Sequence, residues 1–253
     1  MIFFTDLDNT LIYSHRHQLP ENKVPVEWIG EKTQSFMTQR AYSYFSSLSD
    51  LEIIPVTTRS VEQYMRLQNL VTRFGCRYAL VCNGAVLIKD GIVDETWARE
   101  SQRIADGEMT EVLKGSMLLK QYCGADAVKN GSQFVFYAKA EHPQKLSKQI
   151  SSALDTSQVS IFSDSHKVYC IPASLSKGKA VQRIKSIIAH DYTISAGDGY
   201  PDISMLEVTD YAIVHESIAG CIKNEHVIIN KDKFFSDGIC EALSLLKREM
   251  LLW

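Results

Sequence analysis

The sequence predicts an α/β protein: a mainly parallel sheet covered on both faces by helices, with a smaller α+β module inserted in the middle. Three observations carry this. Short apolar runs rich in β-branched and aromatic residues recur along the chain, helix-period stretches lie between many of them, and a hairpin signal interrupts the alternation once. The 253 residues suffice for one or two domains with a substantial core. At 45% hydrophobic and 23% charged residues, the chain has the composition of an ordinary globular protein rather than a disordered one.

Taken in order, strands are expected at residues 2–4, 51–56, 78–82, 134–137, 159–162, 168–171, 192–195, 211–214 and 227–229. Residues 61–74 carry Val61, Tyr64, Met65, Leu67 and Leu70 near a 3.6-residue period, and residues 179–189 carry Ala180, Val181, Ile184, Ile187 and Ile188, so both read as amphipathic helices. Residues 237–252 read as a closing helix. The middle differs. Residues 85–89 and 92–93 flank Asp90-Gly91, a strong hairpin signal. A polar helical stretch (95–122), a strand (132–139), a helix (143–154) and two strands (159–163, 167–171) follow. This places the inserted module at 86–166 and the parallel-sheet domain at 1–85 and 167–253.

Composition excludes several functions. A net charge of -3 leaves no basic footprint for nucleic acid. No apolar run approaches the roughly 18 residues of a membrane span. Met1-Ile2-Phe3-Phe4 lacks the basic region and longer apolar stretch of a secretory signal, so a cytoplasmic protein is expected, with no obligate protein partner evident. The cysteines (76, 82, 123, 170, 221 and 240) include no CxxC pair and no zinc spacing, and are expected as buried free thiols.

Four segments carry chemistry, each at a strand end or helix start. Asp6-Leu7-Asp8-Asn9-Thr10 follows the first strand; if the chain stays extended, the i, i+2 spacing sets both carboxylates on one side. Two adjacent carboxylates repel and call for a cation, and oxygen-only ligands at a strand end favour Mg²⁺. Thr57-Thr58-Arg59-Ser60 ends an apolar strand in hydroxyls before a helix, a natural phosphate seat. Ser176-Lys177-Gly178-Lys179 opens an amphipathic helix with lysine where the helix dipole disfavours a cation, so Lys177 calls for an anionic partner. Ser195-Ala196-Gly197-Asp198-Gly199-Tyr200-Pro201-Asp202 ends another strand in a glycine-rich turn with two acids, Asp198 and Asp202, that can complete an oxygen shell. Singly, these residues also serve as ordinary turns, N-caps and a solvated lysine.

Together and in this order, the four segments resemble the haloacid dehalogenase superfamily, in the branch of Cof-type and sucrose-phosphate-phosphatase-like hydrolases, along essentially the whole chain. The resemblance implies a Rossmann-like core with an inserted α+β cap of the second type. It implies a Mg²⁺-dependent phosphomonoesterase acting on a small phosphorylated metabolite, with sugar phosphates the leading class. Asp6 is then the nucleophile that forms an aspartyl-phosphate, and Asp8 the acid and base. Thr57, Thr58 and Lys177 seat the phosphate; Asp6, Asp8 (through its backbone carbonyl), Asp198 and Asp202 hold the metal. Two departures stand out: Thr58 replaces the usual Gly, and Pro201 the usual Asn. A phosphosugar mutase and a non-catalytic phosphate- or metal-binding module remain as alternatives. Arg99, Lys139 and His166 are unranked cap candidates for substrate choice, and His15-Arg16-His17 is a basic cluster close after the nucleophile.

Overall fold

A computed structural model describes residues 1–164 and 166–250. The elements run β1 (Ile2–Thr5), β2 (Tyr13–Ser14), β3 (Val24–Ile29), β4 (Lys32–Met37), α1 (Gln39–Ser47), β5 (Glu52–Pro55), α2 (Val61–Met65), α3 (Gln68–Arg73), β6 (Tyr78–Val81), β7 (Val86–Lys89), β8 (Ile92–Val93), α4 (Glu95–Ala105), α5 (Met109–Cys123), β9 (Lys129–Ser132), β10 (Val135–Lys139), α6 (Pro143–Ser151), β11 (Val159–Asp164), β12 (Lys167–Pro172), α7 (Lys177–Lys185), β13 (Thr193–Gly197), α8 (Ile203–Leu206), β14 (Tyr211–His215), β15 (Val227–Asn230) and α9 (Phe235–Met250).

Five strands form a parallel sheet in the order β15-β14-β13-β1-β5. Side chains of β1 alternate between its faces. Phe3 shares a buried cluster with Phe45 of α1, Ile53 of β5, and Ile239 and Leu243 of α9. Ile2 and Phe4 join Trp97 of α4, Val181 and Ile184 of α7 and Met205 of α8. Both faces are therefore covered, and burying each such side chain stabilises the fold by about 1.5–3 kcal/mol. The chain leaves β1 for β5 on one side and returns to β13 on the other. The C-terminal end of β1 is thus the point of a doubly wound sheet where ligands bind.

The segment after β1 is more ordered than a loop. β3 and β4 form a hairpin across Gly30-Glu31, with Gly30 at φ +59°, and β4 also pairs with β2. Polar Lys-Thr-Gln-Ser in β4 hides this strand from a hydrophobicity reading. The register shifts on either side of Glu27, a bulge that turns its side chain inward. The expected helix at 61–74 is two, because the chain turns at Arg66-Leu67 and buries Leu67. The stretch 95–122 also divides, into α4 and α5, and 132–139 divides into β9 and β10 around a turn. The closing helix begins at Phe235; residues 251 and 252 of its expected span lie outside the described residues.

The Asp90-Gly91 hairpin forms as β7–β8, and β7 also pairs with β6. A bridge between Val56 and Leu80 joins this small sheet to the edge of the parallel one. The Trp97 indole N–H donates to Gly84 O at 3.1 Å, so the hairpin and α4 pack beside the parallel sheet. A separate antiparallel sheet, β11-β12-β10-β9, carries α5 and α6 on one face through Val112, Leu119, Ile150, Val168 and Cys170. The two chain crossings that lead into and out of this unit are joined. The Glu108 carboxylate accepts from the Ser174 backbone N–H (2.9 Å) and hydroxyl (2.8 Å). Of the cysteines, 82, 170 and 240 are buried, 76 and 123 half-buried, and 221 exposed, and all six are free thiols.

Candidate active site

β1 delivers Asp6 to the end of the sheet, and the Asp6 backbone N–H donates to Ala196 O of β13 at 3.0 Å, holding the two strand ends together. The chain then tightens: the amides of Leu11 and Ile12 both donate to Leu7 O at 2.9 Å. This turn buries Thr10, whose hydroxyl donates to Asp198 Oδ1 at 2.8 Å. Asp202 is oriented by backbone donors, with Asp198 N–H at 3.1 Å and Gly199 N–H at 2.9 Å from its Oδ2. A Cβ on Gly197 would stand 2.4 Å from the Asp202 Cβ, so only glycine fits beneath this carboxylate.

Lys177 is the first residue of α7 and is 1% exposed. Its ammonium lies 2.5 Å from Asp6 Oδ1 and 2.6 Å from Asp202 Oδ1. Those two carboxylates are the anionic partners that a lysine at a helix N-terminus requires. Burial alone would push the Lys177 ammonium down, but Asp202 and Asp6 outweigh it and keep the group protonated. Gly178 serves packing: a Cβ there would stand 2.1 Å from Ser204 O, so glycine lets α7 lie directly on α8. Lys179 is exposed and donates to Ala173 O at 3.3 Å.

Asp6, Asp198 and Asp202 bring carboxylate oxygens within 4.8 Å of one another. Burial pushes the Asp6 carboxyl up. Lys177 pulls it down, but Asp202, Asp198 and Asp8 push it up again, and it ends well above the usual carboxylate range. An all-oxygen set with surplus negative charge fits a hard divalent cation.

Asp8 turns the other way. Its carboxylate meets Arg59 in a two-point contact, Nε to Oδ2 at 2.8 Å and Nη2 to Oδ1 at 2.8 Å. Burial pushes the Asp8 carboxyl up, and Arg59 more than offsets this, leaving it below its usual range. Thr57, fully buried at the end of β5, accepts from the Arg59 backbone N–H at 3.2 Å, and half-buried Thr58 follows it. Pro201 lies in the short turn Tyr200–Asp202 that leads into α8.

Arg99 is exposed and donates to its own helix at Glu95 O, and Lys139, His166 and the loop His15-Arg16-His17 are exposed. Lys167, beside His166, pairs across the strands with Lys139. It lies on the sheet face opposite α5 and α6, 5.2 Å and 5.8 Å from the ring centres of Tyr137 and Tyr169. Its charge contributes to holding the Asp8 carboxyl down. On the same face Phe162 stacks on Tyr169 with centroids 5.2 Å apart, and reaches Tyr200 of the Asp198–Asp202 turn at 6.4 Å. Sequence reasoning also passed over Thr10, although it closes the DxDxT pattern.

Solved structures with the same fold include the sucrose-phosphatase from Synechocystis sp. PCC6803 in complex with sucrose and phosphate. It is 17% identical, with 98% of each chain covered and a TM-score of 0.63. A haloacid dehalogenase subclass IIB sugar phosphatase is 16% identical over 97% of this chain and 98% of that one, with a TM-score of 0.64. A haloacid dehalogenase-like hydrolase from B. subtilis is 13% identical over 96% and 98%, with a TM-score of 0.56. None of the curated proteins matches the chain in sequence. The sequence profile of the haloacid dehalogenase-like hydrolases matches residues 48–243, from β5 and its Thr57 through Lys177 to both acids of the last turn, and the chain belongs to that family.

Proposed function

We propose that the protein is a Mg²⁺-dependent phosphomonoesterase that works through an aspartyl-phosphate on Asp6, with a small phosphorylated metabolite, foremost a sugar phosphate, as substrate. The observation that carries this is the union of Asp6, Asp198 and Asp202 around buried Lys177 at the end of β1. The sugar phosphatases among the solved structures of the same fold support the substrate class.

In this reading Asp6, Asp198 and Asp202, with the backbone carbonyl of Asp8, would hold Mg²⁺. When bound, the cation neutralises charge on the transferring phosphoryl group and keeps Asp6 ionised. The anionic phosphate arriving beside Asp8 offsets the pull of Arg59, and Asp8 takes up a proton from solvent; the Asp6 carboxylate then attacks phosphorus, the P–O bond to the leaving group breaks, and Asp8 passes that proton to the departing oxygen. Asp8, now ionised and steadied by Arg59, takes a proton from the water that hydrolyses the aspartyl-phosphate. Lys177 stays protonated and, with Thr57 and Thr58, faces the phosphoryl oxygens. We place the cap at residues 109–172, the unit formed by the four-stranded sheet with α5 and α6. Its Lys167–Tyr137–Tyr169–Phe162 face receives the leaving group.

The test is phosphate release from an aryl phosphate with Mg²⁺. The wild type turns over and stops when a chelator removes the metal, and Asp6→Asn falls to background. Equal rates for Asp6→Asn and the wild type exclude Asp6 as the nucleophile.

A further inference from the structure

Glu27 is a charged side chain with no exposed surface, and it lies on the β3–β4 hairpin rather than in the cluster of Asp6, Asp198 and Asp202. A buried carboxylate is costly unless every oxygen is paired, and here each is. Oε2 accepts from the Ser35 hydroxyl at 2.6 Å and from Arg59 Nη2 at 3.0 Å, and Oε1 from Arg66 Nε at 2.9 Å. The bulge on either side of Glu27 is what turns this carboxylate inward. Arg59 is thus gripped from behind. Nη2 is shared between Glu27 and Asp8, Nε is on Asp8, and Nη1 donates to Gln63 O at 3.3 Å. The planar guanidinium cannot rotate without giving up one of these contacts. Asp8, by contrast, is 45% exposed on its side chain, and its two-point contact with Arg59 is what sets its direction.

We propose that Glu27 is a positioning residue for proton transfer: through Arg59 it fixes the direction in which the Asp8 carboxyl faces the leaving group. The proposal rests on the reading of Asp8 as the acid. It makes the hairpin a working part of the site, although Glu27 acts on Asp8 only through Arg59.

The experiment compares two esters on the same enzyme preparations, 4-nitrophenyl phosphate and glycerol phosphate. A nitrophenolate departs without a proton, whereas an alkoxide needs one. The quantity read is the ratio of kcat/KM for the alkyl ester to that for the aryl ester. It ends at departure of the leaving group, so hydrolysis of the intermediate does not enter, and it is insensitive to how much of a preparation is active. Asp8→Asn should lower the ratio by about 10²–10⁴-fold, the usual worth of a positioned acid. Glu27→Gln should lower it in the same direction by roughly tenfold, as partial misplacement of such a group would. Arg59→Lys, which keeps the charge but cannot span both carboxylates, should do the same and carries the test if Glu27→Gln does not fold. Equal losses on the two esters in the Glu27 and Arg59 variants, with the ratio still falling in Asp8→Asn, overturn the positioning role alone. An unchanged ratio in Asp8→Asn overturns the assignment of Asp8 as the acid, and with it this proposal.

Discussion

The Thr10 hydroxyl donates to Asp198 Oδ1 at 2.8 Å, and Asp198 is one of the three acids proposed to hold the cation. Replacing Thr10 with valine keeps shape and burial and removes the hydrogen bond. Partners of this kind are typically worth 10–100-fold in metal affinity or activity, so Thr10→Val should raise the Mg²⁺ concentration for half-maximal activity by about tenfold or more. A Mg²⁺ titration of turnover checks this; an unmoved midpoint shows that Asp198 is oriented without Thr10. At this scale the sequence was partly legible. Asp6, Lys177, Asp198 and Asp202 could be read because their segments occur together and in a fixed order, each at a strand end or helix start. The pairing of Arg59 with Asp8 and Glu27 could not. The partners are 51 and 32 positions apart, and residue type alone does not say which carboxylate an arginine will find.

Among the elements, the β3–β4 hairpin was the hardest to read. Its second strand begins Lys-Thr-Gln-Ser, and one of its inward positions is a glutamate, so the apolar alternation that marks a half-buried strand is missing. The strands of the parallel sheet were legible for the opposite reason, since both faces are covered and their apolar runs are continuous. β12 was placed correctly as a strand, but its polar first residue, Lys167, drew no attention beside His166. Yet strand alternation sets Lys167, with Lys139 opposite it, on the same face as Tyr137 and Tyr169, and the Lys167 ammonium lies over both rings. Lys167→Met keeps the stem and removes the charge. It should raise KM severalfold for sugar phosphates, whose leaving group reaches the cap, and leave acetyl phosphate nearly unchanged. Kinetics on the two substrates decide. Equal changes on both place Lys167 outside the leaving-group site and make its effect a general one on Asp8.

For the whole molecule, the paired charges of the hairpin tie stability to pH. Burial pushes the Glu27 carboxyl up, and Arg59, Ser35 and Arg66 together more than offset it, so it lies below its ordinary range in the folded protein. The unfolded chain therefore takes up this proton first as pH falls. The stabilisation is complete above the ordinary glutamate range and is lost as pH drops through the lowered folded value. The Tm difference between the wild type and Glu27→Gln should accordingly be largest near neutral pH and close in acid. Thermal melts across pH 3–7 test it, and a constant gap shows that the effect is one of packing rather than charge.

The Glu108–Ser174 bond has a consequence at the same scale. It holds the two ends of the 109–172 unit within one side chain's reach of each other, in a chain whose parallel sheet is completed by segments on either side of it. An insert with clasped ends can be exchanged without re-threading the host. Replacing it should change which molecules reach Asp6 while leaving β1, β13 and α7 in place, and with the loss of Lys167 it should also change the proton affinity of Asp8.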